Sequence, residues 1–104
     1  VRGDVYRLRA PKNTRGHEQR GRRYAVVLQS DLLPLSTWLV APTSTSARAA
    51  DFRPEIEISG KSARVLVEQT TAVDPERLGD MAGHLTTGEL LAIDRAVRIV
   101  FSLT

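Results

Sequence analysis

Two spacings of apolar residues divide this sequence. Up to about residue 85 they fall in short runs and alternations suited to strands, and from Thr86 onward they recur three and four apart, as on one face of a helix. Val5, Tyr6 and Leu8 predict a first strand within residues 3–9, stopped by Pro11, which has no backbone donor. Residues 10–22 hold almost no apolar side chain and predict a long connecting loop, a length that in a small domain is often functional. Ala25-Val26-Val27-Leu28 is apolar at consecutive positions, so both faces of that strand should be covered. Ser36–Pro42, with Trp38, Leu39 and Val40, predicts a third strand ended by Pro42 and followed by a polar loop over Thr43–Arg48. Glu55-Ile56-Glu57-Ile58 alternates, which marks a strand with one buried face. A turn at Gly60-Lys61 sends the chain back as a strand over Arg64–Val67, and Thr71–Val73 and Gly79–Leu85 read as short strands around an Asp74-Pro75-Glu76 turn.

Thr86-Thr87-Gly88-Glu89 has the form of a capping box, in which the Thr86 hydroxyl and the Glu89 carboxylate satisfy free donors at a helix start. Leu90, Ile93, Val97 and Val100 then form the apolar stripe, with Asp94, Arg95 and Arg98 on the other face and Asp94 spaced to pair with Arg98. No repeat or linker interrupts residues 1–104, so the expectation is one α+β, mostly β domain: a small barrel of short strands closed by a C-terminal helix.

Composition narrows the class. A hydrophobic share of 41% with 26% charged residues is that of an ordinary globular chain, which excludes wholesale disorder. The absence of cysteine excludes disulfides and thiolate metal sites. No apolar run approaches the ~20 residues that span a bilayer and no signal-peptide pattern opens the sequence, so no membrane span is expected, and the lack of cysteine fits a reducing cytosol. Charge is uneven. Residues 1–23 carry eight basic and two acidic side chains, a local +6, while the remainder carries seven and ten, or −3, which together make the net +3. A basic end on an acidic body suits phosphates or an acidic protein, although a solvated arginine-rich loop would look the same. No H-x-E, D-x-D or paired-histidine spacing gathers metal ligands, and nucleophile motifs and a glycine-rich phosphate loop are missing, so neither metal nor cofactor is expected.

Four segments in order say more. Arg2-Gly3-Asp4-Val5-Tyr6 opens the chain, and Gly16-His17-Glu18-Gln19-Arg20-Gly21 leads into Arg22-Arg23-Tyr24-Ala25-Val26-Val27-Leu28. Val40-Ala41-Pro42-Thr43-Ser44 and Val65-Leu66-Val67-Glu68-Gln69 follow. This series resembles the MazF/PemK toxins over essentially the whole chain. The resemblance implies a Src-homology-3-like barrel with a C-terminal helix, a homodimer, and a cytoplasmic toxin of a type II toxin–antitoxin system. It also implies a metal-independent endoribonuclease that cuts single-stranded RNA at short motifs, with messenger RNA foremost and transfer or ribosomal RNA as further targets. The family's catalytic arginine and threonine match Arg23 and Thr43. Its RNA-binding positions match His17, Glu18, Gln19 and Arg20 in the long loop, Ser44 and Thr45 after the threonine, and Glu68 and Gln69. Two positions depart from the pattern, with Tyr24 where proline is usual and His17 where serine is common; Arg22 is a second arginine, but alignment with the apolar run selects Arg23.

Such an enzyme uses the ribose 2′-hydroxyl as nucleophile and leaves a 2′,3′-cyclic phosphate and a 5′-hydroxyl. Arg23 suits charge stabilisation on phosphorus, Thr43 a hydrogen bond to the phosphate or leaving oxygen, and His17 a proton shuttle near neutral pH. Each residue type also has a plainer use. An arginine before a strand is commonly solvated or paired, a threonine after proline commonly forms a turn, and a loop histidine is commonly just exposed. His84 reads as structural, and Trp38 as core or dimer contact rather than a base-stacking platform. The expected partner beyond RNA is an acidic antitoxin whose disordered tail folds into the same basic channel. Two other functions fit the same barrel: a non-enzymatic inhibitor of DNA gyrase resembling CcdB, acting through its C-terminal helix and last residues, and a nucleic-acid-binding module without chemistry.

Overall fold

A computed structural model describes residues 1–9 and 23–103. The expected loop over 10–22, with Pro11, His17, Glu18, Gln19, Arg20 and Arg22, lies outside the described residues. The strands are β1 (Asp4–Leu8), β2 (Tyr24–Val27), β3 (Trp38–Ser44), β4 (Glu55–Ile58), β5 (Lys61–Val65), β6 (Thr71–Val73) and β7 (Leu78–His84), followed by helix α1 (Thr87–Val100). All pairings are antiparallel in the order β4-β5-β3-β2-β1-β7, with β6 on β3, and the sheet curls into a half-barrel closed by the helix. Register shifts between β1 and β7 at Val5/Tyr6 and Tyr6/Leu8 bend that edge, as bulges do. Among the described residues no helix is long and apolar enough to cross a membrane.

β2 is covered on both faces, as its unbroken apolar run predicts. Val26 enters the larger core with Val5, Ala41, Ile56, Val65, Leu85, Ile93 and Ala96, while Ala25 and Val27 enter a smaller one with Val40, Val73 and Leu78. Trp38 packs on that second core, its ring centroid 5.9 Å from that of Tyr6, which makes it structural in this chain. β4 alternates exposed and buried as expected. The helix begins at the capping box, with the Thr86 hydroxyl accepting from Glu89 N at 3.1 Å and Glu89 accepting from Thr86 N at 2.8 Å. Its stripe faces the sheet, but Asp94 meets Arg2 across the fold rather than Arg98, because that contact lies within reach of the opening segment.

Three local expectations change. β3 runs through Pro42 and takes in Thr43 and Ser44 instead of ending before the polar loop. Along its outer edge β3 pairs first with β6, from Trp38 to Val40, and then with β5, from Thr43 to Ser44. Pro42 falls at this change of partner, where no ladder donor is called for, while its carbonyl still accepts from Leu66 N at 2.8 Å. The turn before β5 is Ser59-Gly60, with φ of 51° and 81°, the two left-handed positions of a tight hairpin, so Lys61 belongs to the strand. β5 stops at Val65, and Val67–Gln69 forms a single 3-10 turn instead of strand.

Gly3 explains the opening motif. Its φ is 93°, and a Cβ there would sit 3.0 Å from Leu90 Cδ2. Its N–H donates to the Val27 carbonyl and its own carbonyl accepts from Leu85 N, tying the opening segment to β2 and to the approach to α1. Beside it, Asp4 is buried at 6% exposure and its Oδ1 lies 2.7 Å from His84 Nδ1. A carboxylate can only accept, so Nδ1 carries the proton, and His84 is structural as expected. Burial alone would raise the Asp4 pKa, but the hydrogen bonds from His84 and the Val1 amino group outweigh it and hold the carboxyl below its ordinary value. A lowered carboxyl contributes stability above the unfolded aspartate pKa of about 3.9, and that contribution is lost as pH falls through the lower folded value. Asp4→Asn is therefore expected to lower stability at pH 7 and to flatten its loss below about pH 4. Denaturant titrations at pH 7 and pH 3 check this; parallel loss in both proteins would contradict it.

Candidate active site

Arg23 stands at the entrance to β2, and its carbonyl accepts from Leu8 N at 3.0 Å. The main chain is thus pinned while the side chain stays exposed and makes no ion pair with a described residue. Next to it, Tyr24 pairs with Arg7 of β1. The Tyr24 N–H donates to Thr43 Oγ1 at 3.3 Å, a contact that a proline at that position could not make. With its oxygen accepting from Tyr24, the Thr43 hydroxyl is left to donate its proton elsewhere. Thr43 is 3% exposed, in a strand rather than a turn, and pairs with Val65 of β5. The turn-forming role falls to Ser44, whose Oγ accepts from Ser46 N at 3.2 Å and Ala47 N at 3.0 Å.

Arg23 and Thr43 line one cavity of about 590 Å³. Tyr24, Ser44, Thr45 and Ser46 continue its β2–β3 side, Arg7 enters from β1, and Ile58, Ser59, Lys61, Ser62 and Ala63 form the wall contributed by the β4–β5 hairpin. Among the described residues the lining holds three cations, six aliphatic hydroxyls and no carboxylate, so it is built for an anion. No three His, Asp or Glu side chains among the described residues gather in a way that could hold a metal ion.

The structure thus brings together Arg23, Thr43, Ser44 and Thr45 of the expected residues. It does not bring Glu68 and Gln69 to this cavity. They sit on the 3-10 turn after β5, where Glu68 Oε2 accepts from Arg53 Nε at 2.9 Å and pairs with Nη2 at 2.7 Å. Arg7, Lys61 and the hairpin serines are residues that sequence reasoning missed. The available signal was the period of two in β5, which sets Lys61 on the same face as Ala63 and Val65.

Comparison with known proteins shows the family. Residues 1–101 match the family model of PemK-like, MazF-like toxins of type II toxin–antitoxin systems. A candidate toxin of Mycobacterium tuberculosis is 44% identical over 98 residues, covering 93% of this chain and 92% of the relative. Endoribonuclease EndoA of Bacillus subtilis is 30% identical over 110 residues, covering 98% and 94%. A mycobacterial endoribonuclease solved with its cognate antitoxin has a TM-score of 0.80 at 17% identity, covering 100% of this chain and 96% of that one, a likeness of fold. By the family model and by both relatives, this chain belongs to the PemK-like, MazF-like toxins of type II toxin–antitoxin systems.

Proposed function

We propose that this toxin is an endoribonuclease that cleaves single-stranded RNA by attack of the 2′-oxygen on the adjacent phosphorus. The P–O5′ bond breaks as the P–O2′ bond forms, the 2′ proton leaves, and O5′ takes up a proton. The products are a 2′,3′-cyclic phosphate and a 5′-hydroxyl. The observation that carries this reading is the convergence of Arg23 and Thr43 on one cationic cavity free of described carboxylates. Negative charge grows on the phosphoryl oxygens as the bond forms, and a fixed guanidinium beside them stabilises that state more than the ground state. Arginine, with a pKa above ~12, serves better as charge than as base. The Thr43 proton, directed away from Tyr24, completes the phosphate's hydrogen bonds.

RNA as substrate implies action in the cytoplasm. The chain acts as a homodimer held in check by an acidic antitoxin, whose carboxylates suit the same cationic cavity. The decisive assay mixes purified protein with labelled single-stranded RNA in EDTA and identifies the product ends. Cleavage with cyclic-phosphate ends is expected; retention of intact RNA would reduce the protein to a binding module, and gyrase inhibition without RNA cleavage would replace the reading altogether. Thr43→Val keeps the β-branched shape and removes the hydroxyl. It is expected to lower kcat by roughly 100-fold and to cost about 1 kcal/mol of stability through the unmet Tyr24 N–H, both measurable on one preparation.

A further inference from the structure

The cavity exceeds what one phosphate needs, and its hairpin wall carries a cation of its own. In β5 the residues Lys61, Ala63 and Val65 share a face, and across the ladder Ile58 pairs with Lys61 and Ile56 with Ala63. Ile56, Ile58, Ala63 and Val65 are core. Lys61 thus extends the inward row of a hairpin to the point where that row leaves the core and meets the cavity. The hairpin's two carboxylates, Glu55 and Glu57, alternate to the other face; Glu55 pairs with Arg64, and Lys61 has no ion pair among the described residues. The tight Ser59-Gly60 turn holds this wall in place, and Ser59 lines the same cavity as Lys61.

We infer that Lys61, with the hydroxyl of Ser59, forms a second phosphate subsite that holds a non-scissile phosphate of the same RNA strand next to the one at Arg23 and Thr43. This rests on the proposed ribonuclease function. The division of labour follows from the groups. A planar guanidinium matches the changing geometry at the reacting phosphorus, whereas a compact ammonium on a flexible stem is a point charge that serves a phosphate whose charge does not change. Binding that is equal in ground and transition states appears in KM and leaves kcat alone.

Lys61→Gln is therefore expected to raise KM about tenfold with kcat within about twofold, and to reduce the salt slope of RNA binding by about 0.7, one phosphate's share for a single strand. Lys61→Arg should restore most of both. A series of RNAs, each with one non-scissile phosphate flanking the cleavage site replaced by a neutral methylphosphonate, locates the contact. At one position the wild type should lose about as much as Lys61→Gln loses on unmodified RNA, and the variant should lose nothing further, as coupled partners do. Independent losses at every position, an unchanged KM and salt slope, a collapse of kcat, or an effect on antitoxin binding alone would overturn the subsite while wild-type cleavage still upheld the enzyme. A wild type that cleaves no RNA would remove the function and the subsite together.

Discussion

Arg23→Ala is expected to lower the single-turnover rate of RNA cleavage by about 100- to 1,000-fold while leaving the melting temperature unchanged. The fold should not suffer, because the anchoring contact at this position is made by the carbonyl, which alanine retains, and the side chain is exposed. The loss should fall on kcat, since the guanidinium gains most where phosphoryl charge is greatest. Arg23→Lys should recover only part of the rate, because an ammonium keeps the charge and loses the paired planar donors. Both rates can be read on one labelled substrate beside a circular dichroism melt. If Arg23→Ala cleaved at the wild-type rate, Arg7 would become the leading candidate, being the remaining arginine of the lining.

Ile93→Ala carries the largest expected cost to stability. Ile93 is fully buried at 0% exposure and, with Ala96, is where α1 enters the larger core. Removing three carbons there gives up transfer energy and leaves a hollow that strands on the other side cannot fill, a loss of about 2–5 kcal/mol. For a domain of this size that is a fall of roughly 10 °C or more in Tm. The neighbouring Leu91 is 63% exposed, and Leu91→Ala should change Tm little, within about 0.5 kcal/mol. Equal shifts for the two variants would mean that the helix does not dock as described.

What the sequence revealed was what is decided locally. The capping box, the alternation of Glu55–Ile58 and the doubly covered run of β2 depend on neighbours within a few residues, and all three are present in the fold. Pro42 was misread because its effect is set by strands far along the chain: a proline ends a strand unless the ladder changes partner at its position. Asp94 was misread for the same reason, its contact being with Arg2, distant in sequence. Arg23 and Thr43 were reached only through family resemblance, since an arginine and a threonine 20 positions apart carry no periodic signal. Lys61 could have been found by noticing a lysine in register with buried residues, but only after the turn was moved to Ser59-Gly60.

Because β3 changes its outer neighbour from β6 to β5 at a proline, the strand runs on without leaving an amide wanting and delivers Thr43 to the cavity. The place of that hydroxyl is thus inherited from the path of the chain, and the side chains of the hairpin wall do not set it. Positions 61 and 62, on the hairpin wall, can change while Thr43 keeps its place. Sister chains of this fold can therefore vary that wall without having to solve the folding problem again.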